Sequence, residues 1–176
     1  MTIEAERRAI EAALDIYRAR LDEIPDDQFD LTPPDGGWSY AEVYSHILQT
    51  TLGASMALEK CTLSVCLPTN KGRSLIGWFV FTFNRFPPVK VKVPAIVNER
   101  NPAKKISKED ARNLIIKCRK RISEVTPLIH DSSPNKRVKH PRMGLLNASQ
   151  WFKFILIHLN HHLKQLDRIE KNLHRR

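Results

Sequence analysis

Residues 147–169 carry the pattern that most restricts how this chain can fold. Trp151, Phe154, Ile155, His158, Leu159, His162, Leu166 and Ile169 recur at steps of one, three and four, which puts them on one face of an α-helix. Asn147 and Gln150 stand where an N-cap and its reciprocal partner belong, and Leu146 and Trp151 are placed as a hydrophobic staple. A helix with a single apolar face must bury it against other elements, so the rest of the chain has to supply partners.

Three further stretches do so. The first runs from Ile3 to Asp22 with Ile10, Ala13, Leu14, Tyr17 and Leu21 on its apolar stripe, and Pro25 stops it. Pro33-Pro34-Asp35-Gly36-Gly37 reads as a turn. The second opens at Ser39, with Glu42 completing a capping box and Trp38 and Val43 as a staple. It continues through Ile47, Leu48, Leu52 and Met56 to about Cys61. The third opens at Ser107 with Asp110 in its first turn, carries Leu114, Ile115, Cys118, Ile122 and Val125, and stops near Thr126-Pro127. Together these predict an all-α fold: a four-helix bundle in one domain spanning 1–176, with a long crossover between the second and third helices.

That crossover, residues 65–106, holds Pro68, Pro87, Pro88, Pro94 and Pro102. Its apolar segment Leu75–Phe81 is expected to form a short extra helix, with an edge strand as the alternative because aromatic and β-branched residues dominate. Val89-Lys90-Val91-Lys92-Val93 alternates and is expected to be extended. The region suits a lid over one end of the bundle, or the surface of a homodimer.

Composition sets outer bounds. No apolar run reaches the ~18 residues of a membrane span, and the charged start Met1–Arg8 lacks a signal peptide's apolar core. The expectations are a cytoplasmic location and no membrane partner. Three cysteines, Cys61, Cys66 and Cys118, argue against a disulfide framework; they are read as reduced structural thiols, with Cys66, beside a loop, open as a nucleophile. The net charge is +10, which attracts anions. The basic residues are scattered without interleaved aromatics, so a solvated basic face is expected rather than a nucleic-acid site.

The chemistry concentrates in His158-Leu159-Asn160-His161-His162. His158 and His162, four apart, share the inward face; His161 lies about 100° round and is the poorer ligand candidate. Two buried neutral imidazoles each need a donor and an acceptor, and a shared divalent ion meets that need. On spacing alone, a metal pair and a pair of exposed or hydrogen-bonded histidines both stand. His46 follows the Ser39 cap by two turns on a partner helix, and facing helices of a bundle are a place where metal sites are built.

Gly37-Trp38-Ser39-Tyr40-Ala41-Glu42-Val43-Tyr44-Ser45-His46-Ile47, together with His140–Trp151 leading into His158–Leu166, resembles the two motifs of the DinB-like (DNA-damage-inducible, YfiT-like) family. The resemblance implies a metal held by His46, His158 and His162; three imidazoles suit several first-row ions, with zinc or nickel foremost. It also implies a reaction class among thiol-dependent S-transferases, isomerases and hydrolases, with a low-molecular-weight thiol as a candidate cofactor and a small molecule as substrate. Members without assigned chemistry keep a non-catalytic metal-binding stress-response or interaction protein as the alternative. Gln165 and Glu42 are the candidate catalytic side chains, each with a plainer role, as a surface amide and a helix cap. His140 is read as structural or as lining the pocket mouth.

Overall fold

The structure is a computed structural model that describes residues 1–34, 36–87 and 104–173. The expected extended segment Val89–Val93, with Pro88, Pro94 and Pro102, lies outside the described residues. In chain order the elements are α1 (Ile3–Glu23), α2 (Asp26–Phe29), α3 (Tyr40–Thr62), α4 (Leu75–Phe83), α5 (Lys108–Val125), a 3₁₀ turn (Pro127–Ile129), β1 (Val138–His140), β2 (Gly144–Leu146) and α6 (Ala148–Leu173).

The cap chemistry forms as its residues dictate. Ser39 and Glu42 make a reciprocal capping box at the head of α3, as do Ser107 and Asp110 on α5. On α6 the Gln150 amide N–H donates to Asn147 Oδ1 (3.0 Å) and the Asn147 N–H to Gln150 Oε1 (3.1 Å). These caps satisfy backbone donors that a helix start leaves orphaned.

Helices α1, α3, α5 and α6 make a four-helix bundle. Each of α5 and α6 packs on both α1 and α3, so α1 and α3 face one another across a diagonal. The predicted stripes are inside: Ile10, Leu14, Tyr17 and Leu21 of α1, Val43, Ile47 and Leu48 of α3, Ile115, Cys118 and Ile122 of α5, and Trp151, Ile155, Leu159 and Ile169 of α6 are buried. Met56 departs from the expectation: it is exposed, because the apolar face of α3 passes instead through Ala54, Leu58 and Cys61. Two phenols cross the core. Tyr44 donates to the Tyr17 carbonyl and Tyr17 to the Leu159 carbonyl, both at 2.8 Å.

Leu75–Phe83 is a helix, not an edge strand, capped by the Ser74 hydroxyl, which accepts from the Gly77 N–H. Its inner face, Gly77, Val80 and Phe81, is buried. The hairpin β1–β2, antiparallel with His140 opposite Gly144, was not expected from the sequence. It packs tightly on the start of α4: a Cβ at Gly77 would lie 2.3 Å from the Met143 carbonyl oxygen, and Gly144 adopts φ +81°, where a side chain would be strained. Among the described residues no helix is long and apolar enough to cross a membrane.

Candidate metal centre

The most extensive helix–helix seam, α3 against α6, brings together His46, His158 and His162. One ligating nitrogen from each lies within 4.8 Å of the others. His158 and His162 are 8% and 6% exposed, while His46 is half-buried. The Nε2 atoms of His158 and His162 are 3.0 Å apart, and the His46 ring stands 5.2 Å from that of His158 and 4.9 Å from that of His162.

The tautomers follow from the partners. Gln165 Oε1 lies 2.7 Å from His162 Nδ1; an amide oxygen only accepts, so His162 carries its proton on Nδ1 and turns a bare Nε2 into the cluster. With no ion present, His158 Nε2–H can donate to it, which leaves His158 Nδ1 with no partner among the described residues. Burial, and then the neighbouring imidazoles, hold the His158 proton affinity well below the ordinary value. Burial likewise pushes His162 down to about 3 and His46 down to about 4. All three rings are therefore neutral at pH 7, the form that ligates. A tetrahedral ion with bonds of ~2.0–2.1 Å wants nitrogens about 3.3 Å apart. The donor set fits such an ion, with the His158 and His162 nitrogens 3.0 Å apart and the His46 nitrogen within 4.8 Å of both.

Aromatic side chains wall the cluster. Phe154 stacks on His158 at 5.2 Å. The Trp38 ring lies 4.9 Å from His46 and stacks parallel to His162 at 6.4 Å. Phe86 sits 5.9 Å from His158 and 4.8 Å from His161. Trp38 was expected as a staple, not as a wall, and nothing in the sequence singled out Phe86, whose contact is long-range.

The remaining candidates sort by geometry. His161 stays outside the converging group and packs on Phe86 and His162. Gln165 serves as the hydrogen-bond partner of His162. Glu42 Oε2 accepts from both the N–H and the hydroxyl of Ser39 at 2.8 Å, so its carboxylate is committed to the cap. His140 Nδ1 accepts the Arg142 and Met143 N–H groups at 3.1 and 3.2 Å and closes the hairpin turn. All three cysteines are free. Burial raises the Cys61 and Cys118 thiols to about 11 and 12, which makes them inert; half-buried Cys66 points its thiol at the Arg137 carbonyl, 3.7 Å away. Two surface clefts, of ≈ 560 Å³ beside Asp26 and Lys108 and ≈ 370 Å³ beside Arg20 and Tyr40, are lined by residues outside the triad.

Two solved structures share the fold. A four-helix bundle protein, TT2238, superposes with a TM-score of 0.61 at 17% identity, over 95% of this chain and 99% of that one. YfiT from Bacillus subtilis, described as a probable metal-dependent hydrolase with an unusual four-helix bundle topology, superposes with a TM-score of 0.64 at 12% identity, over 97% of this chain and 87% of its own. A comparison with curated proteins gives no match. The family model of the DinB superfamily matches residues 9–166, and the chain belongs to that superfamily.

Proposed function

We propose that this protein holds one divalent metal ion through His46, His158 and His162 and uses it in hydrolysis of a small-molecule substrate. The observation that carries the reading is the convergence of three neutral imidazoles, one ligating nitrogen from each within 4.8 Å of the others, in a largely buried, aromatic-walled seam. Three protein ligands are the number that catalytic zinc sites use, leaving a position for substrate or water. Such an ion supplies Lewis acidity that makes a water acidic near neutral pH. The chain's own part is positional. Gln165 holds His162 in the tautomer that presents Nε2, Phe154 fixes the plane of His158, and Trp38 and Phe86 exclude bulk water. The described YfiT chemistry supports hydrolysis; zinc and nickel both suit three imidazoles. A thiol substrate would be made acidic in the same way, and S-transfer is the neighbouring reaction class.

A non-catalytic metal-binding role is the second reading, favoured by the burial of His158 and His162 among Phe154, Trp38 and Phe86. Metal content by mass spectrometry on untagged protein is expected to be one ion per chain. His158→Ala and His46→Ala are expected to lower affinity by about 100-fold or more, above the effect of losing a ligand's supporting partner. Unchanged metal content in both variants overturns the site. Metal-loaded protein is then expected to turn over members of an ester and amide panel; silence there and against thiol–electrophile pairs, with metal bound, decides for the second reading.

A further inference from the structure

Two stretches of the chain, 60–87 and 132–166, contain no Asp or Glu, yet they carry Lys60, Lys71, Arg73, Arg85, Lys136, Arg137, Lys139, Arg142, Lys153 and Lys164. The fold lays parts of the two side by side. The Thr69 N–H donates to the Asn135 carbonyl (2.9 Å), the Leu145 N–H to Gly72 (3.0 Å) and the Ser74 N–H to Met143 (2.8 Å). Among the described residues the cations that face this end form no ion pair: Lys136 and Arg137 donate to the carbonyls of Leu63 and Lys71, and the ion pairs of the described residues lie outside both stretches, although Lys153 acts on Glu6.

The same end of the molecule exposes apolar side chains. Leu75 is 88% exposed, Trp78 55% and Phe83 49%, with Val65 at 81% and Leu67 at 79% on the preceding loop. On α4 the inner face is Gly77, Val80 and Phe81, so Leu75, Trp78, Phe79 and Phe83 form the opposite face; Phe83 contacts Trp78 and Phe79 at 6.5 and 4.7 Å. A helix apolar on all sides is ordinarily covered on all sides, and contiguous exposed apolar surface marks a contact site.

From this pairing of bare apolar side chains with cations that form no ion pair among the described residues, we infer that α4, the 63–74 loop and the β1–β2 hairpin form a docking surface for an anionic lipid bilayer. A second copy of the chain would cover the apolar face but would set two basic surfaces against each other. Nucleic acid would match the cations but leave Leu75, Val65 and Leu67 in water. Anionic headgroups meet the cations while Leu75 and Trp78 enter the headgroup–acyl boundary, where aromatic rings are favoured. The expected absence of a membrane partner rested on the lack of a spanning run, which has no bearing on peripheral contact.

The test is partition of the whole protein onto phosphatidylcholine vesicles with and without about one third phosphatidylglycerol. Binding to the anionic vesicles is expected to exceed binding to the neutral ones by about 10-fold or more, to weaken with salt, and to shift Trp78 emission to the blue relative to a Trp78→Phe control. The charge-conserving pair Leu75→Ser and Trp78→Ser is expected to lower partition about 10-fold with an unchanged circular-dichroism melt. Three results overturn the inference: no preference for anionic vesicles at low salt; partition indifferent to the serine pair, which reduces it to net charge; or lipid-free self-association, or duplex DNA binding, that the serine pair abolishes while vesicle binding is absent.

Discussion

Helices α4 and α6 break the inside-out rule of globular proteins in opposite senses. α6 turns two imidazoles, His158 and His162, into the core; α4 turns Leu75, Trp78 and Phe83 out to solvent. Helices α1 and α5, by contrast, bury one apolar stripe each and ion-pair much of their outer surface. Departures of this kind are where sequences give up local consistency for function. The contrast separates two uses: converging neutral imidazoles invite an ion, and apolar side chains left in solvent invite an interface.

Acid tests the contrast most strongly. His162 and His46 sit near 3 and 4 in the folded chain, while an unfolded histidine titrates near 6.5. Between about 6.5 and 4 the unfolded state binds more protons, so stability is complete above that window and is lost as pH falls through it. Metal-free protein is expected to lose several kcal/mol between about pH 7 and pH 5 in urea melts, whereas α4 contains no titratable side chain. A pH-independent midpoint breaks the account of α6. Next in size, Phe81→Ala on the inner face of α4 is expected to cost about 3–5 kcal/mol. Gln165→Leu frees the His162 ring and is expected to weaken metal affinity roughly 10-fold, read by calorimetry, and to cost the metal-free protein about 1–3 kcal/mol through the unpaired Nδ1–H. Smallest of all, Trp78→Ala is expected to change stability by no more than about 0.5 kcal/mol; a loss near that of Phe81→Ala shows that the outer face of α4 is packed and removes the contrast.

Local chemistry made much of this legible in advance. The Ser39–Glu42 and Ser107–Asp110 boxes, the four stripes and the i,i+4 histidine pair depend on residues close in sequence, where period and cap rules apply directly. His46 was a candidate from its place on a partner helix, but only family resemblance tied it to that pair, since its distance from α6 is a tertiary fact. The β1–β2 hairpin went unread because Val138–Leu146 has little alternation and contains Pro141. What holds the hairpin is Gly144 at positive φ, the Gly77 contact with Met143, and His140 accepting two amides. Phe86 as a wall, and Gln165 as the partner that sets the His162 tautomer, likewise needed three dimensions.

The phenol chain through the core has a torsional consequence. Tyr17 on α1 grips the carbonyl of Leu159, the residue after His158, across 142 positions of sequence, and Tyr44 ties the backbone of Tyr17 to α3. α6 therefore cannot roll about its own axis without tearing a buried hydroxyl from its acceptor. The angular aim of two imidazoles is thus governed from a helix that contributes no atom to their cluster.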